Sequence, residues 1–89
     1  MYTRHLPLLQ KSFFLFGPRG ARALGFEVKS GGAWRSQQSK ALKELVAAGS
    51  LERAYGIYLG RDVLRDGPVE ILPLQEFQRR LRAGRILVA

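Results

Sequence analysis

The residues best suited to chemistry are a carboxylate and an ammonium two positions apart, Glu27 and Lys29. On a β-strand such residues project from one face, because successive side chains alternate. In magnesium-dependent phosphodiester hydrolysis, Glu27 would hold the metal and Lys29 would stabilise charge on the attacked phosphate. That chemistry needs a second carboxylate, and no Asp or Glu precedes Glu27. The residues alone favour the alternative, a surface ion pair worth under about 1 kcal/mol.

A second candidate is the loop Gly17-Pro18-Arg19-Gly20, which follows the apolar run Phe13–Phe16. A strand entering a glycine-containing loop is typical of a phosphate-binding loop, whose backbone N–H groups surround phosphate. The complete loop needs a glycine, a lysine and a hydroxyl at positions 22 to 24, where the sequence has Arg-Ala-Leu. We therefore expect an incomplete nucleotide-binding loop that is inactive in hydrolysis. The alternative is a plain strand-to-turn corner.

A third candidate is nucleic-acid binding by Trp34 and Arg35 together with Lys29. An aromatic ring stacks on a base while neighbouring cations neutralise phosphates. The alternative for Trp34 is a ring at the edge of the core. A further group of cations on the last predicted helix and beyond its end is expected to form a solvated face; its members are Arg79, Arg80, Arg82 and Arg85.

The overall charge favours a polyanionic partner. The 89 residues include 15 lysines and arginines against seven aspartates and glutamates, a net charge of +8. Such a field attracts nucleic acid, nucleotide phosphates or acidic lipid. The chain has no cysteine and one histidine, which excludes disulfides, thiolate zinc sites and a cysteine nucleophile. Its apolar runs are too short to span a bilayer and no secretory signal is visible, so we expect a cytoplasmic protein without a membrane partner.

Apolar patterning and turn residues predict the elements that position these candidates. In chain order they are strand 12–16, strand 25–30, helix 37–48, strand 54–59, strand 69–72 and a helix opened by Pro73. Ser36 or Ser39 is expected to cap the first helix, and Gly49 to end it.

The order β-β-α-β-β-α predicts an α/β fold, a small mixed sheet with helices packed on it. The stretch from strand 25–30 through the first helix is long enough for a crossover, which makes strands 25–30 and 54–59 parallel. The loop of about nine residues before strand 69–72 suits an antiparallel hairpin.

Two parts of the chain resemble opposite ends of one protein family. Arg4-His5-Leu6-Pro7-Leu8-Leu9 and the run from Phe13 to Gly20 resemble the N-terminus of bacterial and archaeal AAA-type P-loop ATPases. Residues 25–82 resemble the C-terminal domain of unknown function that those ATPases carry. The matching motifs include Phe26-Glu27-Val28-Lys29-Ser30-Gly31, Tyr55-Gly56-Ile57-Tyr58-Leu59-Gly60 and Asp66-Gly67-Pro68-Val69-Glu70-Ile71-Leu72-Pro73-Leu74.

That C-terminal domain is similar to the PD-(D/E)xK nuclease fold, and the resemblance places Glu27 and Lys29 on its Glu-x-Lys half-motif. It implies catalytic roles for both residues and a metal-ligand role for Glu27. ATP and magnesium are implied by the parent family only, and we expect no cofactor here because the phosphate-loop lysine and the upstream acid are missing. Residues 1–24 would be a remnant of the ATPase N-terminus and residues 25–89 the nuclease-like domain.

The sequence therefore predicts a non-catalytic remnant of an AAA-type ATPase that binds nucleic acid weakly through a basic surface. One alternative is a magnesium-dependent nuclease completed by a second copy or a partner; DNA cleavage lost in Glu27→Ala would identify it. Another is a protein–protein interaction module that self-associates through strand 12–16, whose exposed edge would pair with another chain.

Overall fold

The computed structural model describes residues 10–15 and 23–87, which form a five-stranded mixed sheet with two α-helices packed on it. The strands are β1 (Gln10–Leu15), β2 (Ala23–Lys29), β3 (Leu51–Tyr58), β4 (Leu64–Asp66) and β5 (Val69–Pro73). The helices are α1 (Lys40–Ala47), which a 3₁₀ helix (Ser36–Ser39) precedes, and α2 (Leu74–Arg82). The predicted α/β class with helices on a small mixed sheet is confirmed.

The spatial order of the strands is β1-β2-β3-β5-β4. Strands β2, β3 and β5 are parallel, and β1 and β4 are antiparallel edges. The predicted parallel pairing of the strands on either side of α1 is confirmed. The antiparallel hairpin predicted between strands 54–59 and 69–72 is wrong, because β3 and β5 are parallel. The connection between them contains β4, which pairs antiparallel with β5. With three residues, exposed or half-buried, β4 has no periodic apolar pattern that would have revealed it.

Each face of the sheet has its own apolar cluster. On one face, Leu42 of α1 packs against strand residues that include Ala54 and Ile71, with Trp34 at the margin. On the other face, Phe77 of α2 packs against a cluster that includes Phe26. Both faces of β2 and β3 are therefore covered, as expected for parallel strands at the centre of an α/β sheet.

The ends of the helices follow from backbone conformation more than from capping side chains. Gly49 follows α1 with φ +80° and Gly84 follows α2 with φ +74°, values that glycine adopts without steric cost. The stop predicted at Gly49 is confirmed, and Gly84 ends α2 in the same way. The predicted serine cap is wrong, since Ser39 precedes α1 without a capping bond and Ser36 donates to the Asp66 carboxylate.

The predicted division at residue 24 stays a prediction, but β1 and β2 belong to one sheet. They pair from Gln10 opposite Lys29 to Leu15 opposite Leu24. Within residues 10–15 and 23–87, no helix is long and apolar enough to cross a membrane.

Replacing Gly56 with alanine is expected to destabilise the fold by about 1–3 kcal/mol, because a Cβ there would lie 2.6 Å from Cη2 of Trp34. Urea unfolding monitored by tryptophan fluorescence measures the change. Gly32→Ala is the matched control, since its nearest atom, the Leu59 carbonyl oxygen, lies at 3.8 Å; a change within about 0.5 kcal/mol is expected there. Equal losses in both variants would contradict the contact with Trp34.

Candidate functional site

Glu27 and Lys29 lie on the face of β2 that α1 covers, and both are buried, with 5% and 4% of their surface exposed. The interpretation of the two as a surface ion pair is wrong for this reason. Alternation along the sequence predicts the face of a strand on which a side chain lies, but not whether that face is buried. The face of β2 that carries Glu27 and Lys29 is buried. The salt bridges of the described residues include none between Glu27 and Lys29.

Each of these two buried groups has its own polar partner. The hydroxyl of Ser12 donates to Oε1 of Glu27 at 2.6 Å, from the position directly opposite on β1. The ammonium of Lys29 donates to the carbonyl oxygen of Ala33 at 2.7 Å. Because burial of a charge without hydrogen bonds is costly, these bonds stabilise the pair inside the fold. Lys29 thereby also fixes the loop after β2.

Trp34 covers this face of the sheet next to Glu27. Its ring lies against Gly56, the residue of β3 that pairs with Glu27, and meets the ring of Tyr58 edge-on with centroids 6.2 Å apart. The indole N–H donates to the hydroxyl of Ser39 at 2.8 Å. The alternative in which Trp34 packs at the edge of the core agrees with these contacts. Its nucleic-acid role stays a prediction.

The carboxyl ends of the three parallel strands meet at one edge of the sheet. The N–H of Leu59, which follows β3, donates to the carbonyl oxygen of Gly31, which follows β2, at 3.0 Å. Lys11 lines a cavity of about 280 Å³ at this edge together with Leu59. Arg61 lines a neighbouring cavity that also includes Leu59. Arg35, which is exposed, belongs to the loop that follows β2.

Several cations at the surface are not used in ion pairs. Those that are exposed and have no ion pair among the described residues are Lys11, Arg35, Lys40, Arg61, Arg82 and Arg85. In contrast, three acidic groups of the C-terminal half, Asp66, Glu70 and Glu76, bind specific partners. Asp66 pairs with Lys43 at 3.0 Å, and a hydrogen bond from that lysine lowers the Asp66 pKa.

The predicted solvated face of arginines on α2 needs correction at Arg80. Its guanidinium bonds to Glu76 at 2.7 Å and to Glu70 of β5 at 2.9 Å, and only 17% of its side chain is exposed. Arg80 therefore ties α2 to the sheet. Arg79, which is exposed, also bonds to Glu76.

The remaining predicted sites have less support from the described residues. Within that part of the chain, no three His, Cys, Asp or Glu side chains form a group that could hold a metal. The metal role of Glu27 stays a prediction, as does the catalytic role of Glu27 and Lys29. The incomplete nucleotide loop, Gly17–Gly20, lies outside the described residues.

Sequence analysis missed three contributors to this edge and to the buried pair: Ser12, Lys11 and Arg61. Only the pairing register of β1 with β2 could have identified Ser12 as the partner of Glu27. The turn after β3 could have directed attention to Arg61, because ligands of open α/β sheets bind at the carboxyl ends of the strands.

Comparisons with protein-family models, with curated proteins and with solved structures find no match for this chain.

The stability of the domain is expected to fall as the pH drops from 4.5 towards 2. Hydrogen bonds from Arg79 and then Arg80 lower the pKa of Glu76 from 4.5 to about 2. A carboxyl whose pKa is lower in the folded state contributes stability above its unfolded pKa and loses it as pH falls through the folded value. Urea unfolding at a series of pH values measures this, and Glu76→Gln should flatten the profile in that window.

The control for this experiment is Glu52→Gln, which removes an exposed carboxylate with no ion pair among the described residues. An equal flattening in Glu52→Gln would show that general charge repulsion, and not the bonds to Glu76, controls the acid transition.

Proposed function

We propose that this chain is a non-catalytic, nuclease-like α/β module that binds nucleic acid weakly through phosphate contacts. We assign the contacts to a carboxyl-end patch, defined as Lys11, Arg35 and Arg61. We further propose that the module is a remnant of an AAA-type P-loop ATPase, of which it retains the C-terminal domain.

The observation that carries the binding proposal is the exposure of these three cations without ion pairs among the described residues. Lys11 and Arg61 line two cavities that share Leu59 in their walls, and Arg35 lies in the loop that Lys29 fixes. Cations not already neutralised are free to replace the counterions of a nucleic-acid backbone. The net charge of +8 adds long-range attraction.

The buried pair supports the non-catalytic part of the proposal. Glu27 and Lys29 are occupied by Ser12 and by the carbonyl oxygen of Ala33, and the partner opposite Glu27 is a hydroxyl where a second carboxylate would be needed. In this proposal the two charges stabilise the fold and perform no chemistry.

The family assignment depends on the sequence resemblance. A mixed sheet with parallel strands on either side of α1, and with Glu27 and Lys29 on one face of β2, is compatible with a PD-(D/E)xK-like domain. The nuclease-like name is therefore part of the proposal, beyond the small α/β fold itself.

The double variant Arg35→Gln/Arg61→Gln is expected to weaken binding of a fluorescent DNA duplex and to reduce its salt dependence. Removing one cation that binds a phosphate lowers the slope of log K against log salt by about 0.9, so the double variant should reduce it by about 1.8. Fluorescence anisotropy between roughly 20 and 200 mM salt measures the slope.

The matched control is Arg82→Gln/Arg85→Gln, which removes the same charge from the other end of α2. Helix α2 starts at the carboxyl-end edge and runs away from it, so Arg82 lies about 12 Å further along its axis. Equal effects of the two double variants would exclude the carboxyl-end patch as the binding site. A lack of binding at the lowest salt would exclude the proposed function.

Supercoiled DNA incubated with the protein and Mg²⁺ or Mn²⁺ is expected to stay intact, because Glu27 is bonded to the Ser12 hydroxyl and no group of three or more His, Cys, Asp or Glu side chains among the described residues could hold a metal. Gel electrophoresis of the DNA measures cleavage. Cleavage by the wild-type chain that disappears in Glu27→Ala would contradict the non-catalytic assignment. Cleavage that persists in Glu27→Ala would indicate a contaminating nuclease.

A further inference from the structure

A row of polar side chains crosses three strands on the face of the sheet that α2 covers. Tyr55 of β3 lies opposite Glu70 of β5, and Glu70 lies opposite Arg65 of β4. Arg53 lies two positions before Tyr55 and therefore projects from the same face of β3. All four residues line one cavity of about 100 Å³. We call this cavity the arginine pocket.

The arginine pocket is separate from the carboxyl-end patch. Its lining comes from β3, β4, β5 and the turn that joins β4 to β5, and these are the three strands farthest from β1 in the sheet. Among the residues that the structure describes, those lining the pocket include neither Lys11 nor Arg61. The lining residues carry two guanidinium groups, one carboxylate and one phenol hydroxyl. The chemistry of the pocket is therefore that of an ion-binding site.

Arg53 is half-buried and has no ion pair among the described residues. Its guanidinium donates to the Tyr55 hydroxyl at 3.3 Å and to the carbonyl oxygen of Ile86 at 3.4 Å. Both distances exceed the usual range of about 2.7–3.2 Å for an N–H···O hydrogen bond. Because a partly buried charge with weak hydrogen bonds is costly, the environment of Arg53 favours an anion as an additional partner.

The hydroxyl of Tyr55 supplies a second donor. This residue is 5% exposed, and its hydroxyl oxygen accepts the hydrogen bond from Arg53. No described residue accepts a hydrogen bond from that hydroxyl. A buried tyrosine hydroxyl usually has a partner for its hydrogen. An acceptor inside the arginine pocket would provide that partner, beside the charge of Arg53.

Arg65 supplies a second cation that changes partner at little cost. Its guanidinium lies 3.8 Å from Oε1 of Glu70, and 63% of its side chain is exposed, so this ion pair contributes little to stability. The other carboxylate oxygen of Glu70 is bound by Arg80 at 2.9 Å. An anion that attracts Arg65 therefore leaves the carboxylate of Glu70 paired with Arg80.

We propose that the arginine pocket binds a single phosphate group. Guanidinium groups donate parallel N–H bonds that match the oxygens of a phosphate, and the Tyr55 hydroxyl adds a further donor. The oxygens of a phosphate point in different directions and accept from donors on several sides, whereas those of a carboxylate lie in one plane. The volume of about 100 Å³ is well below the roughly 300–1,000 Å³ of pockets for drug-sized ligands, so it suits one phosphate group and excludes a whole nucleotide.

The first test is a titration of the full chain with inorganic phosphate, followed by ¹H–¹⁵N NMR. The amide signals of residues 53–55 and 70 are expected to shift and to reach saturation. The control is a titration with sodium chloride over the same range of ionic strength, which should leave those signals unchanged. Shifts that do not saturate, or that chloride reproduces, would overturn the proposal.

Two variants locate the bound phosphate. Tyr55→Phe keeps the ring that stacks on Phe26, with centroids 5.8 Å apart, and removes only the hydroxyl, whereas Arg65→Gln removes the exposed cation. Each is expected to weaken phosphate binding at least about tenfold, because a hydrogen bond to a charged group is lost. The matched controls, Tyr58→Phe and Lys40→Gln, remove a hydroxyl and a cation outside the pocket and should change affinity less than about twofold. Equal weakening by the variants and their controls would overturn the proposal.

A second probe, glycerol phosphate, distinguishes the two sources of a phosphate group. Equal affinity for glycerol phosphate and inorganic phosphate would support the proposal and assign the pocket to a phosphate ester of a larger molecule. Tighter binding of inorganic phosphate would support it and assign the pocket to the free ion. Binding of neither probe would overturn it.

This inference goes beyond the proposed nucleic-acid function and does not depend on it. Arg35→Gln/Arg61→Gln should leave phosphate affinity unchanged, and Tyr55→Phe should leave the salt dependence of DNA binding unchanged, so the failures of the two proposals are distinguishable. If Tyr55→Phe weakened DNA binding as much as phosphate binding, the arginine pocket would be part of the nucleic-acid site, and the single-phosphate proposal would be overturned.

Discussion

Two opposite charges inside the sheet, each with its own hydrogen-bond partner, are the constraint on which the surrounding structure depends. The carboxylate of Glu27 needs the hydroxyl of Ser12, so β1 must pair with β2 in one register. The ammonium of Lys29 needs the carbonyl oxygen of Ala33, so the loop after β2 must fold back over the strand. Burying an unpaired charge costs far more free energy than either hydrogen bond contributes. This difference favours the strand register and the loop conformation that provide both partners.

The same constraint connects the buried pair to the surface. The loop fixed by Lys29 continues into Trp34, whose ring occupies the space above Gly56, where any side chain would collide with it. The loop also carries Arg35, an exposed cation that the proposed function assigns to phosphate contact. In the proposed function, Glu27 and Lys29 stabilise the loop and the strands, and the exposed cations contact phosphate. Neither role needs a catalytic group.

Local sequence signals predicted the elements with strong patterns and failed where tertiary context decides. The parallel pair around α1 was predictable from apolar runs and from Gly49. The short strand β4 was not, because three exposed or half-buried residues carry no periodicity. The burial of Glu27 and Lys29 was also not predictable. The alternation of side chains along a strand specifies the face on which each residue lies, and not which element packs against that face. Ile86 is buried in the apolar cluster that includes Phe26 and Phe77, but it lies in a segment after α2 whose sequence has no apolar periodicity.

The attachment of β1 has a consequence for how the domain opens. As an edge strand, β1 is bound to the sheet through β2 alone, whereas β2, β3 and β5 each have neighbours on two sides. Segments with the fewest connections open at the lowest free energy, far below global unfolding. Because Ser12 belongs to β1, such an opening would hydrate the Glu27 carboxylate and bare the backbone of β2 in one event. The hydrogen-bond partner of the buried Glu27 carboxylate therefore lies on an edge strand. The frequency with which β1 separates from β2 would set how often that carboxylate is hydrated.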